Sequence, residues 1–488
     1  MSRLIIASNR VVDLEKGVQS GGLAVALGEA LQLGRGVWFG WDGTIVEDEA
    51  ALGLKLAQQN RMRTATVPLT RSEYETYYLG FANRVLWPAF HYRLDLAVYD
   101  SSFIEGYRRV NHRMATQLAA LLEPDDLVWV HDYHMIPLGE ELRHQGCRQR
   151  IGFFLHIPFP APEIFRAVPE NAALAESMFS YDVVGFQTSG DAGNFVRYIV
   201  DQCGGVALPD NRVACFGRTI TACAFPIGID PDAIFKMAHT PEAEAHIARL
   251  QRRSMANMFV LGVDRLDYSK GLPDRMKAFR RMLEMHPEMR KFVTLMQIAP
   301  PTREDVAAYA EIRQELEGLS GAINGEFGDF DWTPVRYIHR AVPRATLAAL
   351  FRGSQVGLVT PLRDGMNLVA KEYVASQDPE SPGVLVLSKF AGAAEDLVEA
   401  ILVNPYDTDE MAISLHRALT MPVEERRERY EALIARVKRN DVRGWRESFL
   451  EALRNAEAPD DAAEEAEEAE AFPAGAYAGR DGEVRRLQ

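Results

Sequence analysis

Short runs of apolar, β-branched residues recur along most of this chain, each separated from the next by a longer segment with helical periodicity. LIIAS (4–8), DLVWVHD (126–132), RIGFFLHI (150–157) and DVVGFQT (182–188) form one series. MFVLGV (258–263), KFVTLMQIA (291–299), PVRYIH (334–339), QVGLVTP (355–361) and GVLVLSK (383–389) form a second. Strands this uniformly apolar are covered on both faces, and segments between them, such as 104–123, repeat apolar positions at helical spacing. Chained β-α-β units fold as doubly wound parallel sheets, so the expected class is α/β. The pattern pauses over 225–235, where Pro226, Gly228 and Pro231 mark a connector. Two Rossmann-like sheets in series follow, facing each other across a ligand cleft. The expected limits are a first domain over 1–230, a second over 231–440, and a terminal helix over 441–456 that can cross back to the first. An acidic, low-complexity tail over 457–488 reads as disordered.

Bulk properties narrow the class of partner. A chain of 488 residues is too long for one hydrophobic core, and 47% apolar with 25% charged residues is an ordinary globular balance. No stretch reaches the roughly 18 apolar residues of a membrane span, and the run opening the chain is too short for a signal sequence. A cytoplasmic protein without membrane partners is expected. The net charge is −15. Residues 457–470 carry eight acids and no base, and three arginines against two acids follow, so the tail holds −7 and the rest −8. A body this acidic excludes nucleic acid as a natural partner, and phosphate-binding cations must act locally. Cys147, Cys203, Cys215 and Cys223 include no CxxC pair and no zinc-finger spacing, so they read as reduced, packed thiols.

In doubly wound sheets ligands sit beyond the carboxyl ends of strands, which directs attention to residues just after each run. Arg10 follows the first, and Gly21-Gly22 opens a helix, an arrangement that suits either a phosphate or a plain turn. HDYH places Asp132 after one run, and LHIPFP places His156 after the next; no zinc-ligand pattern such as HExxH is present. VDRLDYSKG sets Arg265 and Lys270 in a loop leading to a helix, either a diphosphate clamp or two solvated cations. TPLRDGMNLVAKEY puts Asp364 and Gly365 at a strand's end, a helix start near Met366, and Glu372 further along, where a carboxylate can hold ribose hydroxyls or simply face solvent. Tyr78 and Trp87 lie in an aromatic segment suited to a sugar face or to core packing. Arg303 is a second candidate phosphate anchor.

Taken together, LWPAFHYR, WVHDYH, FFLHIPFP, VDRLDYSKG and TPLRDGMNLVAKEY, in this order, resemble the trehalose-6-phosphate synthases, retaining glycosyltransferases of family 20. The resemblance runs from residue 3 to about 455 and implies a GT-B fold. It implies a UDP-glucose site made of Gly21, Gly22, Arg265, Lys270, Asp364, Leu368, Val369, Ala370, Lys371 and Glu372. Val342 belongs to the same site, standing where some relatives carry an aromatic. It implies a glucose-6-phosphate site made of Arg10, Tyr78, Trp87, Asp132 and Arg303, with His156 against the reacting glucose. Asp132, His156, Arg265, Lys270 and Asp364 are the implied catalytic group. No cofactor and no metal are implied, and a homo-oligomer (dimer or tetramer) is expected. A glucosylglycerol-phosphate synthase with another acceptor, or a silent sugar-phosphate sensor, are the competing readings. A nucleotide hydrolase lacks its P-loop.

Overall fold

The structure is a computed structural model that describes residues 2–11, 36–59, 62–252, 258–302 and 307–457. Among the described residues, two sheets account for all sixteen strands. The first contains β1 (Leu4–Arg10), β2 (Val37–Val46), β3 (Lys55–Gln59), β4 (Met62–Thr70), β5 (Leu127–His131), β6 (Arg150–Phe154), β7 (Val183–Phe186), β8 (Val206–Ala207), β9 (Arg212–Cys215) and β10 (Arg218–Ala224). They lie in the order β3-β4-β2-β1-β5-β6-β7-β10-β9-β8, parallel from β4 through to β10 and antiparallel at both edges. The second contains β11 (Met258–Val263), β12 (Val293–Ile298), β13 (Val335–Ile338), β14 (Val356–Val359), β15 (Val384–Ser388) and β16 (Ile401–Val403). Its order is β13-β12-β11-β14-β15-β16, parallel throughout.

All nine predicted runs form strands, and five of those strands (β5, β7, β12, β14 and β15) are buried at every residue, as strands covered by helices on both faces must be. The first sheet is wider than predicted. β2 reads VWFGWDGTIV and β4 reads MRTATVPLT, so glycine and proline interrupt the pattern that marks the central strands. The helix expected over 104–123 spans Ser101–Ala119, drawn forward by Asp100, whose carboxylate caps the Ser102 amide at 2.8 Å. The connector is shorter than expected: Asp230 caps the Ala233 amide and Pro231 occupies the first turn, so Pro231–Ala238 is already helical.

In each sheet the chain reverses its winding direction at one point. That point lies between β1 and β5 in the first sheet and between β11 and β14 in the second. Crevices at the carboxyl ends of such strand pairs are where doubly wound folds bind ligands.

The helix Val442–Asn455 packs back on β6 and β7 of the first sheet. Phe449, fully buried, stacks on Trp129 with ring centroids 4.6 Å apart. It occupies space that exists because β6 and β7 carry glycines: a Cβ at Gly152 or Gly185 would lie 2.7 or 2.9 Å from its ring. Immediately before this helix the chain also meets the connector, Val442 N–H donating to Ile229 C=O at 3.1 Å. Phe449→Ala should therefore destabilise the protein by about 3–5 kcal/mol, read as a lowered urea midpoint. A loss below about 1 kcal/mol would mean that the helix is not held by this ring.

Candidate active site

At the first switch point β1 ends in Ser8-Asn9-Arg10 and β5 in His131, followed by Asp132. The Arg10 side chain lies over the Trp41 ring, 5.0 Å from its centroid, beside Gly43, where a Cβ would come within 2.2 Å of the guanidinium. Trp41 in turn packs on Tyr78 (5.6 Å), and Tyr78 stacks on His134 (5.8 Å, 12°). Tyr78 belongs to a π-helix, Tyr74–Leu86, which passes without a break into the turn Trp87–Phe90. Such helices are rare and concentrate at functional sites. Trp87 is buried between His91 (4.2 Å) and Tyr133 (5.7 Å).

Asp132 has φ 76°, a backbone setting uncommon outside glycine, and its carboxylate accepts the His156 amide at 3.2 Å. The His156 ring lies 3.0 Å through Nε2 from Nδ1 of buried His131 and 3.4 Å through Nδ1 from the Gln187 side chain. Gln187 is itself fixed by the Ile227 amide at 3.1 Å. Burial pushes His156 down to about 3 and His131 well below the ordinary imidazole range, so both rings are neutral at physiological pH.

At the second switch point, β11 leads into Asp264-Arg265 and β14 into the loop that carries Asp364. Lys270 is buried and donates to Asp364 at 2.6 Å. Asn367 donates to the same carboxylate at 3.1 Å and to Asp264 at 3.4 Å. Asp264 is held by fully buried Arg275 (2.8 Å), which also reaches Gln297 and Thr360. The two loops are tied directly by Leu362 N–H to Ser269 C=O at 2.8 Å. The helix expected near Met366 begins two residues later, at Leu368. Asn367, at φ 74°, caps the Ala370 amide at 3.2 Å, and Met366 is buried instead. First-turn amides have no acceptor within their helix, which leaves Leu368 and Val369 as donors at the end beside Asp364.

Glu372 lies one turn further on, with its carboxylate 3.4 Å from Arg344; burial pushes its pKa up against the pull of that cation. Val342 is half-buried in the same apolar cluster as Leu368 and Val369. Two residues of this string turn their side chains away from the group. Ala370 is buried in the core, and Lys371 is fully buried with its ammonium on Ile227 C=O (3.0 Å) and near Asp396 (3.6 Å). Both side chains lie on the inward face of the helix, one position round from Val369 and Glu372. Gly21, Gly22 and Arg303 lie outside the described residues.

The two switch points face each other. A Cβ at Gly365 would lie 2.2 Å from the His156 carbonyl oxygen, so the backbones meet there directly. Arg265 of the second domain stands exposed over the Trp87 ring of the first, at 5.7 Å, and Arg363 over Tyr92 at 3.9 Å. Ser189, at a helix start in the first domain, donates through its hydroxyl to Glu395 of the second at 3.1 Å.

The model of glycosyltransferase family 20 matches residues 7–455. The chain belongs to glycosyltransferase family 20. It is 47% identical over 455 residues to the trehalose-6-phosphate synthase of Sodalis glossinidius, covering 93% of this chain and 96% of that one. A crystal structure of an alpha,alpha-trehalose-phosphate synthase (UDP-forming) from Burkholderia xenovorans in complex with glucose-6-phosphate matches with a TM-score of 0.90 at 49% identity. It covers 93% of this chain and 100% of that one. The E. coli protein solved with UDP-2-fluoro glucose matches with a TM-score of 0.88 at 44% identity, covering 93% and 99%. The two facing sheets are the GT-B arrangement of these family members.

Several residues of the site escape a reading of the sequence. Asn367 carries a local signal, an Asn just before a helix. Arg275, Arg344, Arg363 and Trp41 carry none, because their partners lie far away in the chain.

The buried imidazoles have a measurable consequence. His91, whose Nδ1–H donates to Trp87 C=O at 2.7 Å, is pushed down to about 4, chiefly by burial, with Lys270 adding to the effect and Asp267 opposing it. Unfolded, each imidazole titrates near 6.5. Between about 6.5 and the folded value the unfolded chain binds the extra proton, so stability is greatest above 6.5 and falls as the pH drops through that window. Urea midpoints should decline from neutral pH to about 5, with a slope shallower by about one proton in His91→Gln. Equal slopes in the two proteins would contradict a neutral buried His91.

Proposed function

We propose that this enzyme transfers the glucosyl group of UDP-glucose to glucose-6-phosphate, giving α,α-trehalose-6-phosphate and UDP with retention at the anomeric carbon. The observation that carries this reading is the convergence across one gap of two sets of groups. Arg265, Lys270, Asp364 and the helix start at Leu368 come from the second sheet, and Arg10, Tyr78, Trp87, Asp132 and His156 from the first. The family membership and the substrate and analogue bound by relatives support the same assignment.

In this reading Arg265 and Lys270 neutralise the diphosphate, aided by the amides of Leu368 and Val369. Asp364 keeps the Lys270 ammonium in place before substrate arrives. Glu372 holds the ribose hydroxyls, with Arg344 fixing its carboxylate. Arg10 takes the phosphate of the acceptor, and Trp87 and Tyr78 wall its sugar. Transfer breaks the bond from the glucose anomeric carbon to the diphosphate and forms one to the acceptor hydroxyl, whose proton passes to the departing phosphate oxygen. The negative charge that grows on UDP is met by cations already oriented, which is where preorganised electrostatics lowers a barrier most. Neutral His156 suits a position against an oxocarbenium-like glucose, because a charged imidazolium there would oppose the developing positive charge. The same cations make a metal unnecessary, so turnover should survive chelation. A homo-oligomer in the cytoplasm remains our expectation; among the described residues no helix is long and apolar enough to cross a membrane.

The test is UDP release with glucose-6-phosphate as acceptor, the disaccharide phosphate being identified by NMR. Arg265→Ala and Lys270→Ala should each lower kcat/KM by about 10²–10³-fold, the magnitude of a lost oxyanion contact. Near-normal turnover in both variants would refute the diphosphate clamp. Exclusive use of glycerol-3-phosphate, or of ADP- or GDP-glucose, would replace the acceptor or the donor named here.

A further inference from the structure

The helix Leu272–Met285 starts beside Lys270 and ends roughly 20 Å away on the outer surface of the second domain, at about 1.5 Å per residue. At its far end His286 forms the cap, Glu288 sits in the turn Pro287–Met289, and His416 projects from the neighbouring helix Thr408–Thr420. A single Glu288 oxygen lies 3.0 Å from Nδ1 of His286 and 3.8 Å from Nε2 of His416. The two imidazoles are stacked, with centroids 3.5 Å apart and planes 4° from parallel. Each residue offers one ligand atom within 4.8 Å of the other two. Both imidazoles are about three-quarters covered, whereas the carboxylate is 63% exposed, so one side stays open to water. The arginines closest in sequence are engaged elsewhere: Arg290 donates to Leu283 C=O at 3.1 Å and Arg417 pairs with Glu425 at 3.3 Å.

We propose that His286, Glu288 and His416 form a binding site for a borderline divalent transition-metal ion, Zn²⁺ or its neighbours Co²⁺, Ni²⁺ and Cu²⁺, remote from the cleft. Two imidazoles and one carboxylate are a donor set these ions prefer and that Mg²⁺ and Ca²⁺ do not. Donor atoms shared by one tetrahedral zinc sit roughly 3.3 Å apart, given bonds of about 2.0–2.2 Å. The His286–Glu288 spacing is near that value, and the His416–Glu288 spacing needs to close by about half an ångström. Parallel rings cannot both aim a lone pair at one point. One ring has to turn about χ2, a torsion that is broad and soft in histidine. Water supplies the fourth ligand on the exposed side. The ion joins the far end of the helix that starts beside Lys270 to Thr408–Thr420, so it acts as a staple between two helices rather than on the chemistry.

The experiment is calorimetric titration of the untagged, metal-stripped full chain with Zn²⁺, alongside Co²⁺ absorption spectra. We expect one ion per chain at micromolar affinity or tighter, visible bands of four-coordinate Co²⁺, and a thermal midpoint raised by Zn²⁺. His416→Ala and His286→Ala should each weaken binding by about tenfold or more and lose the rise in midpoint, while UDP release without metal stays at the wild-type rate. Absence of uptake by the wild type, or unchanged uptake by both variants, would overturn the site.

Discussion

The approach of Gly365 to the His156 carbonyl is the constraint around which the rest of the enzyme is arranged. No side chain fits there, since even a methyl group would lie 2.2 Å from the oxygen, and Gly392 leaves the same freedom on the other side of Gly365, where a Cβ would fall 1.8 Å from the Gly365 oxygen. Three stretches of backbone therefore stack in sequence, from the loop after β6 through the loop after β14 to the loop after β15. The Asp364 amide donates to Phe390 C=O and the Gly392 amide to Asp364 C=O, which fixes that loop by its own backbone and frees its carboxylate to meet Lys270. The Asp364–Lys270 pair is thus carried to the domain boundary by main chain, the part of the molecule with the least freedom to move.

Charge is distributed along the same line. The second switch point holds Arg265, Lys270 and Arg275 against Asp264 and Asp364, in a body that is acidic as a whole. Asp264 is consumed by Arg275 deep in the domain, and burial pushes its pKa up despite that partner. Lys270 is compensated by Asp364 at the edge. Arg265 is left exposed and, among the described residues, faces an aromatic ring and not an acid. An anion entering the gap meets one cation directly and a second whose partner is positioned to share it. Such a graded arrangement avoids the cost of burying two uncompensated cations before the ligand arrives.

The sheets were legible because buried parallel strands must be apolar at every position, and no other element of this chain has that pattern. The interior strands β2 and β4 were not, since their apolar runs are broken by Gly40, Gly43 or Pro68. The positions of Arg10, Asp132, Arg265, Lys270 and Asp364 could be read because each ends a strand or lies in the loop just after one. Their partners could not: the Lys270–Asp364 pair spans 94 residues and the Arg344–Glu372 pair joins two separate helices, so only the folded sheet brings them together. The string Leu368–Glu372 was read as one contiguous site, but a helix turns successive side chains by about 100° and sends those of Ala370 and Lys371 inward.

The aromatic wall illustrates why periodicity fails at such a site. Tyr78 and Trp87 are nine residues apart, and on an α-helix of 3.6 residues per turn they would stand on opposite faces. The segment between them is a π-helix, Trp87 N–H bonding to Ala82 C=O five residues back, and at about 4.4 residues per turn nine positions make close to two whole turns. The two rings consequently share a face and bracket one pair of neighbours. Tyr78 lies 5.8 Å from His134, Trp87 lies 5.7 Å from Tyr133, and those two rings are 3.9 Å from each other. Widening the helix by one residue per turn is what converts two distant aromatics into a single wall. The Asn83 amide, donating to Tyr78 C=O five residues back at 2.7 Å while its oxygen accepts the Tyr133 hydroxyl, holds that widened turn against reverting.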